Sequence, residues 1–515
     1  MLRLTHTAAR LAARSSCKTA VAATAACVAA PRVAAVAVAP RRSFAVSRPA
    51  LSSAASGADD SRPAIRPALT SFSDEETMLR ETVAQFAREV IGPRVAHMDE
   101  QGQLDPMILQ QLFNQGLMGV ETPLEYGGGG MSFTQSCIVI EELAKVDPAI
   151  SVIVDIQNTL INTSIMKYGS EALKNQWLPR LATDTLGSFC LSESGSGSDA
   201  FAMATRAEKQ ADGSFVINGS KMWISNAKEA GLFLIFANAD PSKGYKGITA
   251  FLVPAGTPGL TVGKKENKLG IRASSTCELS FDGLRVPASS VLGKEGEGYK
   301  IAIGSLNEGR IGIGAQMVGL AAGAFEAPME YIHSRKQFGT VIASYQGMQF
   351  SVAQMATEIE CARLMVYNAA RLKEQGLPFV QQAAMAKLKA SQVAERVASQ
   401  AVEWMGGIGF TKDCPSEKFY RDAKIGEEET TRVERACRVE SIVRVSGRLA
   451  SLTFLSCVLR RLHLRGHNQF AVADDCQEYL KELHKIREQQ ERNRDSKQAE
   501  LLDRQVANQP ECLIL

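Results

Sequence analysis

The sequence predicts an α+β chain of several domains: a helical region, then a small β-barrel or sandwich, then a second helical region. Three observations predict it. After Ser73, apolar residues recur at helical spacing. Between residues 187 and 290 the texture changes to short β runs. From about 298 to 424 long Ala-, Gly- and Leu-rich helical patterns return. The 515 residues and 45% hydrophobic content allow a large core and more than one domain.

The first 60 residues are different material. They are rich in Ala, Arg and Ser, and the first acidic residues are Asp59 and Asp60. Arg3, Arg10 and Arg14 share one helical face, with Leu2, Leu4 and Leu11 elsewhere. This is the pattern of a mitochondrial transit peptide, so residues 1–60 are set apart from the fold. The stretch 19–40 carries Pro31 and Arg32 and makes a poor membrane span. A net charge of +3 is too balanced to argue for a nucleic-acid partner. Mean hydropathy near zero suits a soluble chain with no membrane role. Eleven cysteines include no C-x-x-C pair, which argues against structural zinc and a disulfide framework; no metal site is expected.

Ser73 and Glu76 form a capping-box signature, followed by Leu79, Val83, Phe86 and Val90 on one face. Helical patterns run to about 183. They are interrupted by Gly127–Gly130, a loop without the Lys-Ser/Thr ending of a phosphate-binding loop. Phe215-Val216-Ile217, Asn218-Gly219 and Met222-Trp223-Ile224 predict a hairpin with Asn-Gly as its tight turn. Leu232–Ala237 and Ile248–Val253 predict two further strands. Small residues after 298 permit close helix packing, as in a bundle or an oligomer core. The expected division is 1–60 leader, 70–185 helical, 187–290 β, 297–426 helical, and 427–515 an atypical tail.

Two segments carry the functional reading. Residues 189–199 are Phe-Cys-Leu-Ser-Glu-Ser-Gly-Ser-Gly-Ser-Asp, and Trp223-Ile224-Ser225-Asn226 follows. Glycines let a backbone approach a planar ligand, and free N–H groups with Ser hydroxyls can hold phosphate and ring oxygens. No G-x-G-x-x-G opens a helix here, so this is not the dinucleotide fingerprint. Other segments follow in order: Asn267–Thr276 between strands, Ser305–Arg310 in a long helix, Arg335–Gly339 followed by Tyr345-Gln346-Gly347, Glu403–Gly407, and Tyr420–Gly426. Together they resemble the acyl-CoA dehydrogenase family, nearest its short/branched-chain members, over roughly residues 70–426.

The resemblance implies a fold with an N-terminal helical domain, a middle β domain and a C-terminal four-helix bundle. It implies FAD-dependent α,β-dehydrogenation of a short or branched acyl-CoA to the 2-enoyl-CoA, in branched-chain amino acid or fatty acid catabolism. A carboxylate would take the α proton, and the developing enolate would need hydrogen bonds aimed at the thioester oxygen. By resemblance Phe189, Cys190, Leu191, Ser192, Glu193, Ser194, Gly195, Ser196, Gly197 and Ser198 line the flavin, with Trp223, Ile224 and Ser225. Ser198 would also touch the substrate, with Tyr245, Tyr299, Asn307, Glu308, Gly309 and Arg310. Arg335, Gln346, Glu403, Trp404, Met405, Gly406 and Gly407 would hold the FAD of a neighbouring subunit; Trp404 and Met405 read equally as core, their family role running mainly through the backbone at the two glycines. The same resemblance implies a homotetramer in the mitochondrial matrix that passes electrons to electron-transfer flavoprotein.

One departure bears on catalysis. The family's catalytic Glu falls four residues past the Gly of Lys-Ile-Gly, and here that position is Thr430. The other position used in the family, before the Arg aligned with Arg310, is Gly309. Glu429 lies one residue from the first position and is a weak fallback, because a misplaced base is costly. Glu427-Glu428-Glu429-Thr430-Thr431 reads as a solvated turn. The catalytic base is therefore unassigned, and a non-catalytic homologue that binds FAD and acyl-CoA is the alternative. An oxygen-consuming oxidase is a third reading, disfavoured by the transit pattern. In the tail, Leu449–Leu459 is too short to span a bilayer. Residues 478–505 predict a solvated helix or weak coiled coil, and Cys512-Leu513-Ile514-Leu515 matches a prenylation box that conflicts with a matrix address.

Overall fold

The computed structural model describes residue 69 and residues 71–437, with side chains to Gly426. The transit pattern, the apolar run 449–459, the charged stretch 478–505 and Cys512 lie outside the described residues.

Among the described residues seven α-helices precede the sheet: α1 (Asp74–Phe86), α2 (Val95–Gln101), α3 (Pro106–Asn114), α4 (Phe133–Ala144), α5 (Pro148–Asp155), α6 (Thr163–Tyr168) and α7 (Glu171–Thr183). The capping box at α1 forms as expected. Ser73 Oγ accepts from Glu76 N, and Glu76 Oε2 accepts from Ser73 N. Gly127–Gly130 is a loop whose ends, at φ 78° and 58°, need glycine. Between α5 and α6 the chain winds as a π-helix, Ile156–Asn162. Three amides there are buried and hydrogen-bonded. Asn158 Nδ2 donates to Leu117 O and Asn162 Nδ2 to Met118 O. Gln157 Nε2 donates to Leu181 O and Thr185 O, while its Oε1 accepts from Gly187 N at 2.9 Å.

The sheet comprises β1 (Gly187–Cys190), β2 (Arg206–Lys209), β3 (Phe215–Ser225), β4 (Leu232–Asn238), β5 (Ile248–Pro254), β6 (Leu260–Lys265), β7 (Thr276–Val286) and β8 (Val291–Leu292). Its order is β6-β7-β3-β2-β4-β5-β8, with β1 parallel to β4. β2 meets β4 through one pair, Arg206 with Asn238, so the sheet consists of two halves. Phe215, Ile217, Leu279 and Phe281 from one half share a core with Phe233, Ile235, Phe251 and Val253 from the other. The Phe215 and Phe251 rings lie 5.1 Å apart, edge to face.

The Asn218-Gly219 hairpin does not form. β3 runs unbroken for 11 residues, pairing with β2 and β7, with register shifts at Ile217/Gly219 and Lys221/Ile224. Asn218 Oδ1 accepts from Gly283 N on β7. Gly219, at φ 141°, lies where a Cβ would stand 2.7 Å from Thr205 Oγ1. The dipeptide pairs regularly with β2 at Asn218 and marks a bulge against β7, because long-range pairing overrides the local turn signal.

The C-terminal helices are α8 (Gly298–Glu326), α9 (Met329–Ser334), α10 (Gln346–Glu374), α11 (Val380–Met405) and α12 (Ser416–Cys437). A short hairpin of β9 (Lys336–Gln337) and β10 (Thr340–Val341) follows α9. α8, α10, α11 and α12 pack around an Ala-rich core that includes Ala315, Ala321, Ala390, Ala394 and Phe419. The turn expected at Glu427–Thr431 is helix instead: α12 continues through it to Cys437. Gly426 sits inside that helix, its carbonyl accepting from buried Lys387 Nζ at 2.9 Å. A Cβ there would stand 2.6 Å from Met317 Sδ, so α12 is pressed onto α8 and α11 where a turn was expected. Among the described residues no helix is long and apolar enough to cross a membrane, and no group of His, Cys, Asp and Glu is arranged to hold a metal.

Candidate functional site

β1 and β3 bring the two sequence motifs together. Met222 N donates to Ser192 O at 2.9 Å, and Ser188 Oγ donates to Ser225 O at 2.9 Å. The Ser/Gly loop thus runs beside the end of β3. Strand alternation sorts its side chains. Phe189 packs towards the helical domain, its ring 5.0 Å from Phe236. Cys190 faces the β core, where burial pushes its thiol up, so Cys190 offers no side chain to a ligand. Leu191 and Ser196 are buried, and Ser192 is half-buried. Ser194, Gly195, Gly197 and Ser198 are exposed. A Cβ built on Gly195 or Gly197 meets nothing within 4 Å, so the backbone there faces open space.

Trp223 has φ 63°, a left-handed conformation that a bulky residue adopts only under strain. The cause is the register shift after Lys221: Ile224 turns into the core and Trp223 is turned out, 51% exposed. Large aromatic surface held outward by a strained backbone is the most ligand-like feature of the β domain.

Glu193 departs from a ligand-lining role. Its carboxylate is buried and engaged by Lys221 Nζ at 2.8 Å, Ala204 N at 2.6 Å and Thr205 N at 3.2 Å. Burial alone would raise Glu193, but Lys221 and those donors outweigh it and hold it below the usual carboxylate range. Burial pushes Lys221 down, and Glu193 opposes that. Nothing in the motif reading singled out Lys221. Its signal was parity: Phe215, Ile217 and Lys221 share the inward side of β3, and an inward Lys demands a buried acceptor.

Of the expected substrate residues, Tyr245 and Tyr299 meet edge to face at 5.0 Å. Arg310 donates to Asn307 on the same turn of α8. Glu308 is turned away from such a role. It is buried, ion-paired with Lys167 of α6 and with Lys373 of α10, the latter at 3.3 Å. Gly309 faces the π-helix, where a Cβ would stand 2.9 Å from Leu160 Cδ2. Thr430 and Glu429 lie on the last turns of α12, and their side chains are outside the described set.

The third group sits on the C-terminal helices. Arg335 ends α9 and Gln346 opens α10, both exposed. The Tyr345 hydroxyl donates to Gln337 O at 2.8 Å, tying the β9–β10 hairpin to α10. Glu403 is exposed and accepts from Gln400. Trp404 is core: its indole N–H donates to Ser351 Oγ and its ring packs on Phe325. Met405 is buried as well. Gly406 and Gly407 leave an open backbone where α11 ends. Phe338 and Phe410, 97% and 85% exposed, stand near these residues in sequence.

α12 is anchored by charge. Lys418 Nζ reaches Asp147 at 2.8 Å and Asp422 at 2.6 Å, and Asp422 accepts from Ile271 N. Arg421 reaches Asp99 and Glu417. These contacts tie α12 to the N-terminal helices and to the loop between β6 and β7. A Cβ on Gly270 in that loop would strike the Arg421 backbone.

Three acyl-CoA dehydrogenase domain families match the chain: the N-terminal domain over residues 73–185, the middle domain over 188–284 and the C-terminal domain over 296–429. The chain is 58% identical over 372 residues to a Dictyostelium discoideum protein named "Probable short/branched chain specific acyl-CoA dehydrogenase", covering 72% of this chain and 90% of that one. It is 57% identical to the mitochondrial short/branched chain specific acyl-CoA dehydrogenase of Rattus norvegicus, covering 68% of this chain and 81% of that one. The butyryl-CoA dehydrogenase structure from Megasphaera elsdenii superposes with a TM-score of 0.69 at 38% identity, covering 71% of this chain and 98% of that one. Fold, domain order and sequence agree, and the chain belongs to the acyl-CoA dehydrogenase family.

Proposed function

We propose that this protein is a mitochondrial FAD-dependent acyl-CoA dehydrogenase of the short/branched-chain type, acting in the matrix as a homotetramer and passing electrons to electron-transfer flavoprotein. The family is one of FAD flavoproteins. The observation that carries the reading is the wall formed by the Ser/Gly loop and the outward Trp223. It presents an exposed indole, free hydroxyls at Ser194 and Ser198, and backbone at Gly195 and Gly197 with open space in front. A planar heteroaromatic ring with polar edges fits such a wall. Bound there, FAD supplies the acceptor for the hydride lost from the β carbon.

The chain's own residues do the rest. Trp223 and the loop backbone orient the ring, and Ser198 stands at the exposed side of the loop, where an acyl chain would pass. Tyr245 and Tyr299 offer an aromatic pair to the CoA portion, and Arg310, held by Asn307, a cation. Arg335, Gln346 and the open backbone at Gly406 and Gly407 serve the FAD of a neighbouring subunit. Glu403 adds an exposed carboxylate beside those glycines.

A second reading is favoured by one observation. Neither family position for the α-proton base is a carboxylate: one is Gly309, closed over by Leu160, and the other is Thr430. On that reading the protein binds FAD and acyl-CoA without turnover. Anaerobic addition of 2-methylbutyryl-CoA to the FAD-loaded chain decides between them. Bleaching of the flavin within seconds supports the dehydrogenase, and Glu429→Gln then tests the fallback base. Tight binding of acyl-CoA with no bleaching supports the second reading.

A further inference from the structure

Lys221 is fully buried on β3, two residues before Trp223. Its Nζ donates to Leu191 O at 3.0 Å and to Glu193 Oε1 at 2.8 Å. Glu193 in turn accepts from Ala204 N and Thr205 N, and Thr205 Oγ1 donates to Ser220 O at 3.1 Å. Lys221 of β3 therefore holds the start of the Ser/Gly loop at residues 191–193, and Glu193, itself a residue of the loop, joins that start to its end at 204–205. The span between is the exposed one.

A buried ion pair is a poor device for stability, since two apolar side chains of the same volume commonly serve as well. What it supplies is direction. An ammonium aims its donors at specific oxygens, and a carboxylate gathers specific N–H groups. Here the oxygens and N–H groups are mostly loop backbone. Lys221 also precedes the register shift that turns Trp223 outward, so one residue is tied to both faces of the wall.

We propose that Lys221 and Glu193 are positioning residues that set the Ser/Gly loop at a fixed place relative to Trp223, so that the FAD-side wall is organised before the cofactor arrives. Neither touches the ligand. The inference rests on the reading of that wall as the FAD site. Its energetic consequence is for affinity: a loop already ordered has less entropy to lose on binding.

The test uses the full chain and two variants, Lys221→Met and Glu193→Gln. Glu193→Gln keeps the side-chain size and an acceptor for one backbone N–H. Two quantities are read on the cofactor-free protein: amide hydrogen exchange over residues 192–205, and FAD affinity by titration. The expected result is faster exchange confined to 192–205, with FAD bound at least about tenfold more weakly in both variants. If Lys221→Met does not fold, Glu193→Gln decides. Unchanged exchange in the loop overturns the proposal. Exchange that rises equally across β4 and β5, or unfolding of both variants, also overturns it, since the pair is then a general staple. If the wild type itself fails to bind FAD, the reading of the wall fails, while the exchange comparison still decides whether the pair holds the loop.

Discussion

The Ser/Gly loop and the α8–α12 face are both held by buried charge, but the two networks leave different things exposed. In the β domain the Lys221–Glu193 pair lies beneath the loop, and the surface above it carries Trp223, Ser194, Ser198 and two open glycines. On α8 the buried carboxylate is Glu308 itself, drawn into ion pairs with Lys167 and Lys373, and the next residue is Gly309. One region uses its acid to support the proposed wall; the other has its acid drawn into ion pairs beside Gly309, one of the two proposed base positions. In this chain the proposed binding wall is furnished, while neither proposed base position, Gly309 or Thr430, carries a carboxylate.

The largest expected effect tests that contrast directly. Thr430→Glu should raise the rate of anaerobic flavin bleaching by about 10²–10⁴, the usual worth of a positioned general base. A wild-type rate already as fast, unchanged by the substitution, would remove the contrast. The next concerns the anchor of α12. Lys418→Met leaves Asp147 and Asp422 buried without their cation and should cost about 3–5 kcal/mol in chemical denaturation. A loss below about 1 kcal/mol would mean that apolar packing holds α12 in place.

On the β side, Trp223→Gly removes the strained left-handed conformation together with the ring. The melting temperature should hold or rise slightly, while FAD affinity falls about tenfold, near 1.4 kcal/mol. Equal losses in both would make Trp223 a packing residue. The smallest effect is one of pH. Burial is the main cause that lowers Lys268 from 10.5 to about 8, in the loop that links the sheet to α12. Between about pH 8 and 10.5 the unfolded chain binds more protons at this group than the folded one, so its contribution to stability improves as pH rises. Thermal melts of wild type against Lys268→Met should show the wild type gaining relative stability across that window; parallel curves would refute it.

The order of helical, β and helical regions was legible because hydrophobic periodicity is local. The capping box at Ser73 was legible for the same reason, since all its partners lie within three residues. Asn218-Gly219 misled because its meaning depends on Thr205 and Gly283, which the sequence places far away. Glu427–Thr431 misled because a run of glutamates is compatible with either a turn or a helix, and packing at Gly426 selects the helix. Within the candidate site, the motifs marked two stretches that the fold brings side by side, but not which side chains face outward. The bulge that exposes Trp223 and buries Ile224 breaks the alternation that would have predicted the reverse. The role of Glu193 could be seen only with Lys221, Ala204 and Thr205 beside it.

The π-helix at Ile156–Asn162 touches both regions. Gln157 holds the first residue of β1, and a Cβ on Gly187 would stand 2.7 Å from Ile161, while Leu160 covers Gly309. A π turn accommodates one residue more than an α turn over the same axial length. Losing a single residue here would convert the turn to α and shift the bulged residues, Leu160 and Ile161 among them, off their neighbours, while the helix beyond keeps its phase. A change in residue number at this one turn would therefore disturb two distant surfaces at once, the start of β1 through Gln157 and Ile161 and the α8 face through Leu160.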